Sequence, residues 1–176
     1  MSLTALVSIV GPDHVGMVSA ITSRLFDLGA NLGDTSFAVL GGGAEFTAIV
    51  EFSTEMELES LIGELEALPG LADCEIKVSR FDHSTTHTAS QTITHIINVS
   101  GGDSPGLMAR LCEVFEQFNA NIVRLNSERV PGVGQAQYII STAVAIPSEN
   151  IASCLATIAN IAGQLGLEYA YSDVKN

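Results

Sequence analysis

The sequence predicts an α+β fold: two tandem ferredoxin-like modules, each a βαββαβ unit whose antiparallel sheet carries its helices on one face. Three observations predict it. A loop–helix–strand pattern occurs twice, 90 residues apart. Each copy then runs through the same order of strand and helix signals. A Ser/Thr-rich segment almost free of aliphatic residues separates the copies, giving expected boundaries of 1–80, a linker at 81–91, and 92–176.

The repeat is read directly from the residues. GPDHVGMVSAITSRLFDLGANL, starting at Gly11, returns as GGDSPGLMARLCEVFEQFNANI, starting at Gly101. Gly11, Asp13, Gly16, Ala30 and Asn31 recur as Gly101, Asp103, Gly106, Ala120 and Asn121. The apolar pairs Met17/Leu107, Ile21/Leu111, Leu28/Phe118 and Leu32/Ile122 keep the same offset. One supersecondary unit used twice accounts for a match that spans a loop, a helix and a strand start.

In the first copy, residues 3–10 are a short apolar run ended by Gly11-Pro12, the pattern of a buried strand. Val18, Ile21, Leu25 and Leu28 recur at three- and four-residue spacing, so a helix with one core-facing stripe follows. Gly29 is placed to stop it in the left-handed conformation. Strands are expected at about 31–40 and 45–53, joined through Gly41-Gly42-Gly43 as a hairpin. Thr54 with Glu57 three residues on predicts a capping box opening a second helix, which bears Leu58, Leu61, Ile62, Leu65 and Leu68 and stops at Pro69-Gly70. Residues 72–79 complete the sheet. The second copy predicts strands at 92–100, 121–130, 135–146 and 167–173 and helices at 105–118 and 148–165. Its hairpin is Pro131-Gly132-Val133-Gly134. Asn119 replaces Gly29 as helix stop, asparagine being the residue after glycine that best tolerates a left-handed position, and Gly166 caps the last helix.

Composition narrows the function. Apolar residues make up 47% and charged residues 15%, enough to bury a core in each module. The net charge of −13 argues against direct nucleic-acid binding and against an anionic membrane surface, both of which require basic patches. Residues 1–88 hold 13 acidic and 3 basic side chains, making the first half the expected face for a basic protein partner. Cys74, Cys112 and Cys154 stand far apart without a Cys-x-x-Cys pair, the usage of reduced thiols in a cytoplasmic protein. The amino-terminal run lacks a basic region followed by a long apolar stretch, so no signal peptide is expected, and no stretch approaches the roughly 20 apolar residues of a membrane span.

The signature Asp13-His14-Val15-Gly16, then a helix, then Gly29-Ala30-Asn31-Leu32, resembles the ACT domain. The second copy supplies Asp103-Ser104-Pro105-Gly106 with Asn119-Ala120-Asn121-Ile122. Two such modules in a chain of this size resemble the glycine cleavage system transcriptional repressor family. That resemblance implies a regulator that binds a small amino acid, glycine or serine first among candidates, and acts through a protein partner rather than on DNA. The alternatives are a regulatory subunit of a biosynthetic enzyme, or a dimerisation module without a ligand.

The strand-to-helix loops have chemistry of their own. The first amides of a helix lack internal partners and carry partial positive charge, so a carboxylate can dock there. Ser104 is expected as an N-cap with Pro105 at the first helical position. Gly16 and Gly106 either clear space for a ligand at the backbone or permit tight helix–sheet packing. Asn31 and Asn121, expected at the same end of the sheet, can offer a side-chain carbonyl to a ligand ammonium, or can settle strand-entry turns. Asp13 and Asp103 can equally cap helices. His14 can bond a carboxylate or respond to pH near its reference value of about 6.5, or can be a plain loop histidine. The expected ligand set is therefore Asp13, His14, Val15, Gly16, Asn31, Asp103, Ser104, Gly106 and Asn121.

Catalysis is not expected. The sequence has no Gly-x-Ser-x-Gly elbow and no Arg or Lys in either strand-to-helix loop to hold a phosphate. His83 and His87 stand four apart beside Asp82, but in a Ser/Thr-rich segment unsuited to a helix, so no metal is expected there. His95 sits within an apolar strand, a structural place. No cofactor is expected. Apolar helix faces and free sheet edges favour a homodimer.

Overall fold

The computed structural model describes residues 3–102, 105–130 and 137–174. The chain divides into two compact units, Met1–Thr85 and Thr86–Asn176. The first unit runs β1 (Leu3–Pro12), α1 (Met17–Asp27), β2 (Ala30–Leu40), β3 (Gly43–Phe52), α2 (Leu58–Glu66), a 3-10 turn at Pro69–Leu71, and β4 (Glu75–Arg80). Its strands lie in the order β2-β3-β1-β4, with every neighbouring pair antiparallel. The α+β, ferredoxin-like βαββαβ reading of each copy therefore holds.

Strand alternation explains the core. Leu3, Ala5, Val7 and Ile9 are buried, while Thr4, Leu6 and Ser8 between them are only half-buried. The antiparallel register sets Val7 beside Ala48 and Ile9 beside Phe46, so the inward residues of β1 and β3 share one face. Ile21 and Leu25 of α1 and Leu61 and Leu65 of α2 cover that face. Burying each such side chain stabilises by about 1.5–3 kcal/mol.

The second unit repeats the plan. β5 (His95–Gly102), α3 (Leu107–Gln117), β6 (Asn121–Val130), β7 (Gln137–Ala145), α4 (Ile151–Gln164) and β8 (Glu168–Asp173) give a sheet in the order β6-β7-β5-β8. Ile97, Val99, Ile140 and Val144 face Leu111, Phe115, Leu155 and Ile158.

The local helix stops fall where expected. Gly29, Asn119 and Gly166 adopt φ of 79°, 51° and 66°. Four expectations change. No Thr54–Glu57 capping box forms: α2 starts at Leu58, with Glu57 as an N-cap that makes no side-chain cap bond. α3 starts at Leu107 with Gly106 as N-cap, so Pro105 precedes the helix instead of opening it, and the cap expected at Ser104 lies outside the described residues. α4 starts at Ile151, after a 3-10 turn over Ser148–Asn150. The segment read as a linker holds a 3-10 turn at Ala89–Gln91 that packs on β6 and β7, delaying β5 until His95. The expected hairpin at 131–134 lies outside the described residues.

Candidate functional site

The loop from β1 into α1 is built around one backbone angle. Gly16 is the N-cap of α1 at φ 93° and ψ −6°. A side chain at this φ is disfavoured by 1–2 kcal/mol, in order of magnitude. A Cβ built at Gly16 meets nothing within 4 Å, so tight packing is not the reason for glycine. Gly106 repeats the arrangement at φ 78°, again with open space around it. Gly11, by contrast, does allow close approach, since a Cβ there would collide with Sγ of Cys74, and Gly101 plays the same part against Leu167. Turning through Gly16 buries Met17 and leaves Val15 fully exposed.

His14 is seated on backbone. Its Nε2 lies 2.8 Å from the carbonyl of Gly70, and its Nδ1 lies 3.2 Å from the carbonyl of Val15. The Val15 and Gly70 carbonyls, assisted by the Asp13 carboxylate, raise its pKa above the ordinary histidine value by favouring the protonated ring. Both ring nitrogens are thus occupied within the fold, which removes the simplest way for His14 to bind a ligand carboxylate.

An open cleft of about 390 Å³ adjoins the loop, lined by Asp13, His14, Val15, Gly16, Met17, Val18, Ser19, Phe37 and Val39. Phe37 and Val39, both more than a third exposed, form its apolar lip. Sequence reasoning missed this pair. Their positions pair with the inward residues Phe46 and Ala44, so they lie on the helix side of the sheet, beyond full helix cover. In the second unit the positions equivalent by register carry Ser127, paired with Ile140, and Arg129, paired with Tyr138. The two copies therefore differ in chemistry at this edge. Of the second loop, Gly106 is described; Asp103 and Ser104 lie outside the described residues.

Asn31 does not join the cleft. The first strand leads away to the loop, α1 returns, and β2 begins where β1 began. Asn31 pairs with Glu51, and Glu51 with Thr4, nine residues along β1 from Asp13, or about 30 Å at about 3.3 Å per residue. The expectation that the asparagine and the loop share an end of the sheet is thus corrected by strand direction. Asn31 instead lines a separate surface cleft of about 360 Å³ with Leu3, Thr4, Gly29, Glu51, Phe52 and Ser53.

Asn121 has structural work. Its Nδ2 donates to the Ser90 carbonyl at 2.8 Å, fastening the Ala89–Gln91 turn to the start of β6. That turn carries a capping box of the kind the sequence predicts at Thr54: the Thr88 N–H donates to Oε1 of Gln91 at 2.8 Å. Thr88-Ala89-Ser90-Gln91 is the signal that would have found it. His95 is buried as expected, with Nδ1 2.9 Å from Oγ1 of Thr94 and Nε2 3.2 Å from Oδ1 of Asp173. Among the described residues no three His, Cys, Asp or Glu side chains converge as a metal site, and no helix is long and apolar enough to cross a membrane.

Comparison with known proteins places these features. Residues 4–79 match the ACT domain family, so the cleft and its loop lie within the matched segment. The glycine cleavage system transcriptional repressor of Escherichia coli (strain K12) is 27% identical over 126 residues, covering 72% of this chain. The match spans 65% of that relative's own length. Among solved structures, a protein of unknown function from Galdieria sulphuraria superposes with a TM-score of 0.77 at 23% identity, covering 99% of this chain and all of its own. A candidate glycine cleavage system transcriptional repressor superposes with a TM-score of 0.63 at 18% identity, covering 100% of this chain and 99% of its own. The two structures share the fold of this chain, its first unit matches the ACT domain family, and the chain is similar in sequence to the glycine cleavage system transcriptional repressor.

Proposed function

We propose that this tandem ACT-type chain is a cytoplasmic, non-catalytic regulator that binds a small amino acid and controls a partner by protein–protein contact. The observation that carries the reading is the cleft beside Asp13–Gly16, which lies inside the segment matching the ACT domain. Gly16, Met17, Val18 and Ser19 at the start of α1 line this cleft, where a helix N-terminus favours a carboxylate, and Asp13 offers a charge of the sign an ammonium needs. The partner proposed first is a transcriptional regulator of amino-acid metabolism, on the likeness to the repressors. The net charge of −13 favours action through such a protein over direct contact with DNA. The working assembly is proposed to be a homodimer.

A thermal-shift screen of the intact chain against all common amino acids tests the sensor reading, with glycine and serine as the first candidates. At a concentration about 100 times the dissociation constant, a ligand that binds only the folded state adds roughly 2.7 kcal/mol. The responding ligand should lose its effect in Asp13→Ala and keep it in Asn31→Ala, because the two residues stand at opposite ends of the sheet. No shift across the panel at millimolar concentration removes the sensor reading. Pull-down then separates the partners: a DNA-binding regulator supports transcriptional control, whereas a metabolic enzyme supports the regulatory-subunit alternative.

A further inference from the structure

We infer that His14 is a pH-operated latch that ties the β1–α1 loop to the α2–β4 corner when both of its ring nitrogens are protonated. The inference does not rest on amino-acid binding. Its basis is donor count. The two groups facing the ring nitrogens are carbonyl oxygens, Gly70 at 2.8 Å and Val15 at 3.2 Å. A carbonyl only accepts. A neutral imidazole has one N–H and one lone pair, so it satisfies one oxygen and turns a lone pair toward the other; the imidazolium satisfies both.

The seat is shaped for the ring. A Cβ at Gly70 would stand 2.8 and 2.9 Å from ring atoms of His14, so any side chain there pushes the imidazole away. The bond spans 56 positions in sequence and links the loop that borders the cleft to the turn that ends α2. Among the groups around the ring, Asp13 on its own loop is charged and favours the cation. The corner Pro69–Leu71 has no titratable side chain, and α1 and β2 present Met17, Val18, Ser19, Phe37 and Val39 to the same cleft. Asp73 and Cys74 follow the corner toward β4. Because the folded protein holds the proton more tightly than the unfolded chain, the latch contributes fully below the unfolded value of about 6.5. Its contribution disappears as pH rises through the folded midpoint.

The test is a pH titration of the histidine rings by NMR on the intact chain, with His14 assigned from the signal missing in His14→Gln. His14 should titrate above about 6.5, and the backbone amides at 14–16 and 69–71 should shift with the same midpoint. Gly70→Ala breaks the seat without backbone strain, since φ at Gly70 is outside the left-handed region. It should return the midpoint toward 6.5 and uncouple the corner amides from the loop. In His14→Gln those amides should no longer respond across this pH range. A wild-type midpoint at or below 6.5, corner amides that ignore it, an unchanged midpoint in Gly70→Ala, or a persisting response in His14→Gln would each overturn the latch.

Discussion

Replacing Gly16 by alanine should destabilise the first unit by about 1–2 kcal/mol, and the structure isolates the cause. Gly16 sits at φ 93°, where a Cβ is driven against the backbone. The same Cβ touches nothing else within 4 Å, so no packing gain or clash obscures the angular cost. Gly63 is the internal control. It lies exposed within α2, away from the left-handed region, and its Cβ also meets open space. Gly63→Ala should therefore stabilise by about 1 kcal/mol, through helix propensity and a less disordered unfolded chain. Two glycine-to-alanine changes in one unit are predicted to move stability in opposite directions. Urea unfolding followed by circular dichroism reads both, and by heat each kcal/mol corresponds to about 4–8 °C for a unit of this size. Gly16→Asn should lose less than Gly16→Ala, because asparagine tolerates the left-handed region better. A Gly16→Ala protein as stable as the parent, or two alanine variants shifting the same way, would refute the account of why glycine opens α1.

Two further predictions follow from single side chains. Asn121→Ala removes the bond to Ser90 and should cost about 1 kcal/mol, with faster hydrogen exchange confined to the 88–92 turn, while Asn31→Ala, which loses no side-chain hydrogen bond among the described residues, should leave stability unchanged. The Tyr169 hydroxyl is buried with no hydrogen-bond partner among the described residues, and burial, with the nearby Tyr171 and Cys154, pushes its pKa up to about 12. Tyr169→Phe should accordingly stabilise by about 1 kcal/mol and blunt the loss of stability that sets in above the ordinary tyrosine value of about 10. Alkaline unfolding curves that coincide for the two proteins would argue that the hydroxyl is solvated.

The sequence by itself determined the features that depend on near neighbours. The 90-residue repeat, the order of elements, the apolar stripe of α1 and the left-handed stops at Gly29, Asn119 and Gly166 all follow from side-chain spacing and from which residues accept a positive φ. Local chemistry also misled. Thr54 and Glu57 have the spacing of a capping box but no helical turn between them, whereas Thr88 and Gln91 form one in a segment that composition alone reads as a linker. Tertiary structure decided what meets what. Asn31 and the Asp13–Gly16 loop are close in sequence yet stand at opposite ends of a sheet, because α1 reverses the chain between them. His14 and Gly70 are far apart in sequence yet in contact, and Phe37 and Val39 became a cleft wall only through their register against β3. Periodicity and backbone preference act over a few residues, so they are written locally. Strand direction, register and the approach of a side chain to a distant carbonyl exist only once the sheet has closed.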